Sequence, residues 1–126
     1  MRLLVDSAFV IDYLRDDAGA VMRWDEVFGR GDEPLINEIV VCEVRAGLRG
    51  SDVRPFEAFL EPIEFIQPGP EHALLAGRWR AEARASGRAL SLADSLIAAA
   101  AEAADAVVLT RNVRDFAMTP VRVETY

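Results

Sequence analysis

Lysine is absent from this chain of 126 residues, and all 14 of its basic residues are arginine. That removes every mechanism that requires a lysine amine. A P-loop nucleotide enzyme is excluded with it, because no Gly-x-x-x-x-Gly-Lys loop exists. Cysteine occurs once, at Cys42, so there is no internal disulfide, and the pattern fits a reducing compartment. Histidine also occurs once, at His72, on a predicted helix and in no ligand pattern. Nothing around it supports a Cys–His nucleophile. No apolar run reaches the roughly 18 residues that a membrane span needs. The opening Met1-Arg2-Leu3-Leu4-Val5 meets Asp6 too early for the apolar core of a signal peptide. These absences together predict a soluble, cytoplasmic protein with no membrane partner.

What is present is apolar and acidic. A hydrophobic content of 52% excludes a disordered chain, and the length suits one compact domain, residues 1–126, with no repeat or linker. The net charge of −7 gives no overall attraction for nucleic acid. A nucleic-acid substrate would have to be met by local arginines, Arg45, Arg49, Arg111 and Arg114 among the candidates, and by bound cations.

Arg2 to Val5 reads as a buried strand ending at Asp6, after which Ser7 can cap a helix carrying Phe9, Val10, Tyr13 and Leu14. A second helix is expected from about Ala18 to Phe28, closed by Gly29 and Gly31. A strand at Pro34 to Ile36 precedes a helix capped by Asn37 and running from about Glu38 to Arg49. Residues 53–61 suggest a short helix, Ile63 to Ile66 a strand, and Pro70 opens a helix reaching Ser86. Ser91 starts an alanine-rich helix that ends near Ala104. Ala106 to Thr110 and Val121 to Glu124 complete the strands. Strands alternating with helical stretches too long for hairpins predict an α/β fold, a parallel sheet covered on both faces.

Four acids stand where a purely structural protein gains little from them. Asp6 follows a strand directly, and the carboxyl ends of strands line the ligand crevice of open α/β sheets; a helix cap is the plain alternative. Asp94 interrupts Leu92 to Ala101, a helix otherwise apolar all round except for Ser95, so it should be buried. Leu92, Leu96, Ala99 and Ala103 form one stripe of that helix, with Asp94 opposite over Ala98 and Ala101. A capping box with Ser91 would also explain Asp94. Glu43 lies off the polar stripe of its helix, on an expected semi-buried face beside Ile39, Ala46 and Gly47, unless Arg45 or Arg49 pairs with it. Asp115 gathers with Thr110 and Asn112 just past the strand Val107 to Leu109, or else pairs with Arg111 or Arg114.

In this order, the segments Val5-Asp6-Ser7, Ile39 to Leu48 around Glu43, Ala93 to Ala99 around Asp94, and Leu109 to Phe116 around Asp115 resemble the PIN domain, and within it the VapC-type toxins. The resemblance spans the whole chain. It implies a three-layer sandwich whose central sheet is mostly parallel, with helices on both faces. It implies an endoribonuclease that uses Mg²⁺ or Mn²⁺ to cleave RNA, held inactive by a cognate antitoxin, and usually a homodimer within a larger toxin–antitoxin complex. Asp6 and Asp94 match the family's principal metal ligands, and Glu43 and Asp115 the acids that complete the site. The chain departs from the pattern at Ala8, where many members carry a polar residue, and at Asn112, where some carry the fourth acid.

Carboxylate oxygens without His or Cys are the ligand set of Mg²⁺ or Mn²⁺ rather than zinc. Two carboxylates about 5 Å apart repel by roughly 3 kcal/mol at an effective dielectric near 20. Converging acids therefore call for protonation or for a cation. Receiver domains and dehalogenase-like phosphatases also place an Asp after the first strand, but both need a lysine that this chain lacks. The remaining alternative is a PIN-like binding or scaffold module whose metal site is weak or inactive.

Overall fold

Residues 1–126 are described by a computed structural model. The strands are β1 (Arg2–Val5), β2 (Glu33–Asn37), β3 (Glu64–Ile66), β4 (Val107–Leu109) and β5 (Val123–Glu124). The helices are α1 (Ser7–Leu14), α2 (Ala18–Gly29), α3 (Glu38–Gly47), α4 (Val53–Leu60), α5 (Pro70–Ala85), α6 (Leu92–Ala103) and α7 (Val113–Phe116). The sheet order is β3-β2-β1-β4-β5, and every neighbouring pair is parallel. The expected α/β sandwich is therefore present. No helix is long and apolar enough to cross a membrane.

The topology sets where chemistry can occur. The chain steps outward from β1 through β2 to β3, then crosses back to place β4 on the other side of β1. In open α/β sheets such a reversal marks the crevice outside the carboxyl ends of the strands, here β1 and β4. The central strand is dry: Leu3, Leu4 and Val5 are fully buried within one core cluster of 29 residues. Asp6 follows as soon as this apolar run stops, and its N–H donates to the Leu109 carbonyl at 3.0 Å, joining β1 to β4. A helix that leads into a parallel strand starts at the sheet's carboxyl edge, so the first turn of α6, with Asp94, comes to the same end.

Several boundaries differ from the sequence reading. The cap of α1 is Asp6, not Ser7: its carboxylate accepts from the Ser7 N–H, and Ser7 is already helical. The α3 helix stops at Gly47, because Leu48 turns extended at φ −81° and ψ 143°; Asn37 caps it as expected, accepting from the Val40 N–H at 3.1 Å. The four-residue α7 was not foreseen. In α6 the buried side chains are Ser95, Ile97 and Ala98 to Ala101, whereas Leu92 is 59% exposed and Ala103 is also exposed. The predicted stripe through Leu92 and Ala103 is thus not the core face. The middle of α6 packs against α5, α3, β1 and β4, and small alanines let these elements approach from several directions.

One buried cation supports the β4 side of the sheet. Arg23 of α2 is 6% exposed and donates from Nη2 to Asp32 at 3.2 Å and to Glu124 of β5 at 2.9 Å. The Glu124 carbonyl accepts in turn from the Thr110 N–H at 3.0 Å, just beyond β4. Without Arg23, Asp32 keeps the N-terminal ammonium at 3.1 Å and Glu124 is partly open to water, so the loss is smaller than for a fully buried pair. We expect Arg23→Ala to destabilise the protein by about 1 to 2 kcal/mol, read as a lower urea midpoint with an unchanged slope.

Candidate functional site

Asp6 directly follows β1 at this carboxyl edge of the sheet and is 4% exposed. Its Oδ1 accepts from the Ser7 N–H at 2.8 Å and its Oδ2 from the Thr110 hydroxyl at 2.6 Å. Each oxygen keeps a further lone pair. The cap explanation and the site explanation of Asp6 are therefore compatible: holding the first turn of α1 fixes the carboxylate. Glu43 projects from α3 and is exposed rather than semi-buried, a correction to the sequence reading. It is nonetheless tied to the crevice, because the Ser7 hydroxyl donates to its Oε1 at 2.6 Å. Asp94 is half-buried in the first turn of α6, its N–H capped by the Ser91 hydroxyl at 3.0 Å. Asp115 is exposed on α7. The side chain of Asn112, the other residue considered at this place, is exposed, and its backbone N–H donates to the Thr110 hydroxyl oxygen at 3.0 Å.

None of the four acids forms an ion pair. Arg111, a candidate partner for Asp115, goes to Asp12 instead, and Arg45, Arg49 and Arg114 join no salt bridge. The acids act on one another instead. Burial raises the Asp6 carboxyl above its usual range and the charges of Glu43 and Asp115 add to that, while Thr110 and Ser7 pull it down. Burial pushes Asp94 up to about 6; Ser91 beside it opposes this, and the charges of Asp115, Asp6 and Glu43 reinforce it. Four carboxylates from four segments thus share one field with no guanidinium to relieve it.

The donor chemistry suits a hard divalent ion, but the spacing is looser than an ion cage. No group of three or more His, Cys, Asp or Glu side chains stands close enough together to hold a metal.

Two polar contacts in and beside this region have no clear sequence signature. Ser7, a cap candidate by its sequence position, links Asp6 to Glu43 instead. Asp12, 6% exposed on α1, bonds to Arg111 and Tyr126; an Asp one residue from Tyr13 on an otherwise apolar helix was the available signal.

The PIN domain profile matches residues 3–120. The chain belongs to the PIN-domain family. This PIN chain is 35% identical over 117 residues to Ribonuclease VapC19 of Mycobacterium tuberculosis H37Rv, covering 93% of this chain and 94% of that protein. It is thereby homologous to VapC-type toxins. Its fold is that of a chain in the crystal structure of VapBC2 from Rickettsia felis bound to a DNA fragment from their promoter, with a TM-score of 0.87 at 18% identity over 99% and 98% of the two chains. A toxin–antitoxin complex from Klebsiella pneumoniae contains a chain of the same fold, with a TM-score of 0.79 at 24% identity over 98% and 96%.

The raised Asp94 value has a consequence for the stability of the ion-free PIN domain. Below about pH 4 the carboxyl is protonated in both the folded and the unfolded chain, and no penalty exists. Between about 4 and 6 the unfolded chain ionises first, so stability falls as the pH rises, and the loss is complete above about 6. Asp94→Asn escapes this loss. We expect it to be more stable than the parent by about 1 kcal/mol at neutral pH, partial exposure having reduced the full effect. The difference should disappear below pH 4 in urea unfolding measured across the range.

Proposed function

We propose that this chain is the toxin of a toxin–antitoxin pair and a Mg²⁺- or Mn²⁺-dependent endoribonuclease, with residues 1–126 acting as one PIN domain. The observation that carries this reading is the shared field of Asp6, Glu43, Asp94 and Asp115, whose repulsion no arginine offsets. A protein that only needed these positions for folding would gain by losing the charges. The name of the Mycobacterium tuberculosis relative supports RNA as the substrate, and the complexes from Rickettsia felis and Klebsiella pneumoniae support an antitoxin partner and an assembly larger than one chain, in which we propose a homodimer.

In this reading Asp6 and Asp94 are the principal ligands and Glu43 and Asp115 the supporting ones. Bound Mg²⁺ would supply an activated water and positive potential for the phosphate. The chain's own task is to aim the carboxylates. Thr110 and the Ser7 N–H orient the two oxygens of Asp6, the Ser7 hydroxyl holds Glu43 toward the crevice, and Ser91 fixes the turn that carries Asp94.

One observation favours a second reading. As they stand, the acids are spaced too widely for three to share an ion, which suits a PIN-like binding module with a weak or inactive site better than a ready-made cage. The two readings differ in whether the carboxylates close around a cation, and titration with Mn²⁺ separates them. The nuclease reading expects saturable Mn²⁺ binding and RNA cleavage that stops in excess chelator. It also expects Asp94→Ala to lose both, with cleavage down at least a hundredfold, roughly 3 kcal/mol of barrier, while the fold persists. Absence of Mn²⁺ binding and of cleavage in the parent protein would establish the module instead. Expression alone should slow growth and co-expression of the antitoxin should restore it; a chain harmless at high level would remove the toxin assignment.

A further inference from the structure

Asp12 is a buried acid that the crevice does not use. Its Oδ2 accepts from the Tyr126 hydroxyl at 2.6 Å and stands 2.9 Å from Nη1 of Arg111. Tyr126 is itself seated edge-on against Phe9, ring centroids 4.9 Å apart, so this grip has a rigid backing in the core. Burial, the bond to Asp12 and the charge of Asp12 all raise the Tyr126 hydroxyl above its usual range, so it stays a donor.

Arg111 directly follows Thr110, the residue that bonds Asp6, and opens the segment that carries Asp115. Two consecutive residues therefore fasten this segment to α1: Thr110 at the cap and Arg111 nearly two turns further along. The far end is fastened by Phe116, 1% exposed in the core. Between these fastenings, Asp115 has only a local turn bond from its N–H to the Asn112 carbonyl at 3.1 Å, and no ion pair. Its charge is one of those that raise Asp6 and Asp94. An exposed acid on a four-residue helix is placed by the backbone beneath it.

We infer that Arg111, gripped by Asp12 and Tyr126, is a positioning residue that holds the Asp115 segment at the crevice against the repulsion of the other acids. The inference rests on the four acids forming one site, as proposed above, and its test does not need that site to be active. Amide hydrogen exchange of residues 111–117 is followed in the full chain without divalent ions. Arg111→Ala and Asp12→Asn should each speed exchange about tenfold, Arg111→Lys and Tyr126→Phe less. The deciding arm is Asp115→Asn in the Arg111→Ala background, which should restore slow exchange because it removes the repulsion. Unchanged exchange in Arg111→Ala would overturn the inference. So would faster exchange that Asp115→Asn fails to rescue, since Arg111 would then be an ordinary staple of the fold. Urea midpoints confirm that each variant is folded, and Arg111, being largely exposed, is the substitution least able to disturb the core. Adding Mg²⁺ to Arg111→Ala should also restore slow exchange. Rescue by Asp115→Asn without rescue by Mg²⁺ would uphold the positioning role and overturn the ion reading of the crevice.

Discussion

Carboxylates without a cationic partner, near the carboxyl edge of one parallel sheet, are the constraint that the surrounding contacts answer to; burial first, and then the charges of the other acids, raise Asp6 and Asp94. Asp6, Glu43, Asp94 and Asp115 come from four different segments, and none has a cationic partner within the chain. Their positions cannot follow from attraction, so they follow from what the backbone is fastened to. Asp6 is locked by the helix it caps and by Thr110, Glu43 by Ser7, and Asp94 by the capped first turn of α6. Each fastening is a short hydrogen bond of 2.6 to 3.0 Å made by a hydroxyl or a backbone N–H. At Asp6 and Glu43 neutral donors orient the carboxylate without cancelling its charge, as an arginine would, while at Asp94 the backbone N–H donates to the Ser91 hydroxyl and fixes only the turn.

The arginines are used elsewhere. Arg23 is sunk between Asp32 and Glu124, Arg2 reaches Glu33 and Glu64 across the β1–β2–β3 side of the sheet, and Arg111 is taken up by Asp12. The division is physically sensible: a guanidinium beside the crevice would compete with any cation for the same oxygens. It leaves an acidic protein with a concentrated pole of negative charge, and with Arg45, Arg49 and Arg114 uncommitted for contacts with an anionic or acidic partner.

Much of this was legible in the residues alone. The alternation of strands and helices gave the parallel sheet because crossover connections leave few other arrangements. Asp94 was conspicuous since it interrupts an alanine-rich buried helix, although a capping box with Ser91 would also account for it, and Asp6 since it ends an apolar strand. Periodicity misled at α6: it assumes one core on one side, whereas this helix is packed from several directions in its middle and exposed at its ends. Glu43 looked semi-buried because its neighbours Ala46 and Gly47 are small, yet small residues are equally at home at an open rim. The Asp12–Arg111–Tyr126 and Arg23–Glu124 contacts join residues about a hundred positions apart, and no local pattern announces such pairs.

Placing β1 in the middle of the sheet, with β4 as a direct neighbour, ties the beginning of the chain to its last quarter. The bond from Thr110 to Asp6 closes a loop of 104 residues, and loops of that span form late, after local helices and the β1–β2 pair. A chain emerging in order from its amino end therefore carries a free Asp6 and an unfinished crevice until residue 110 is available. No product ending before β4 can assemble the four acids, so whatever they do is withheld until the segment that carries Thr110 and Asp115 has been made.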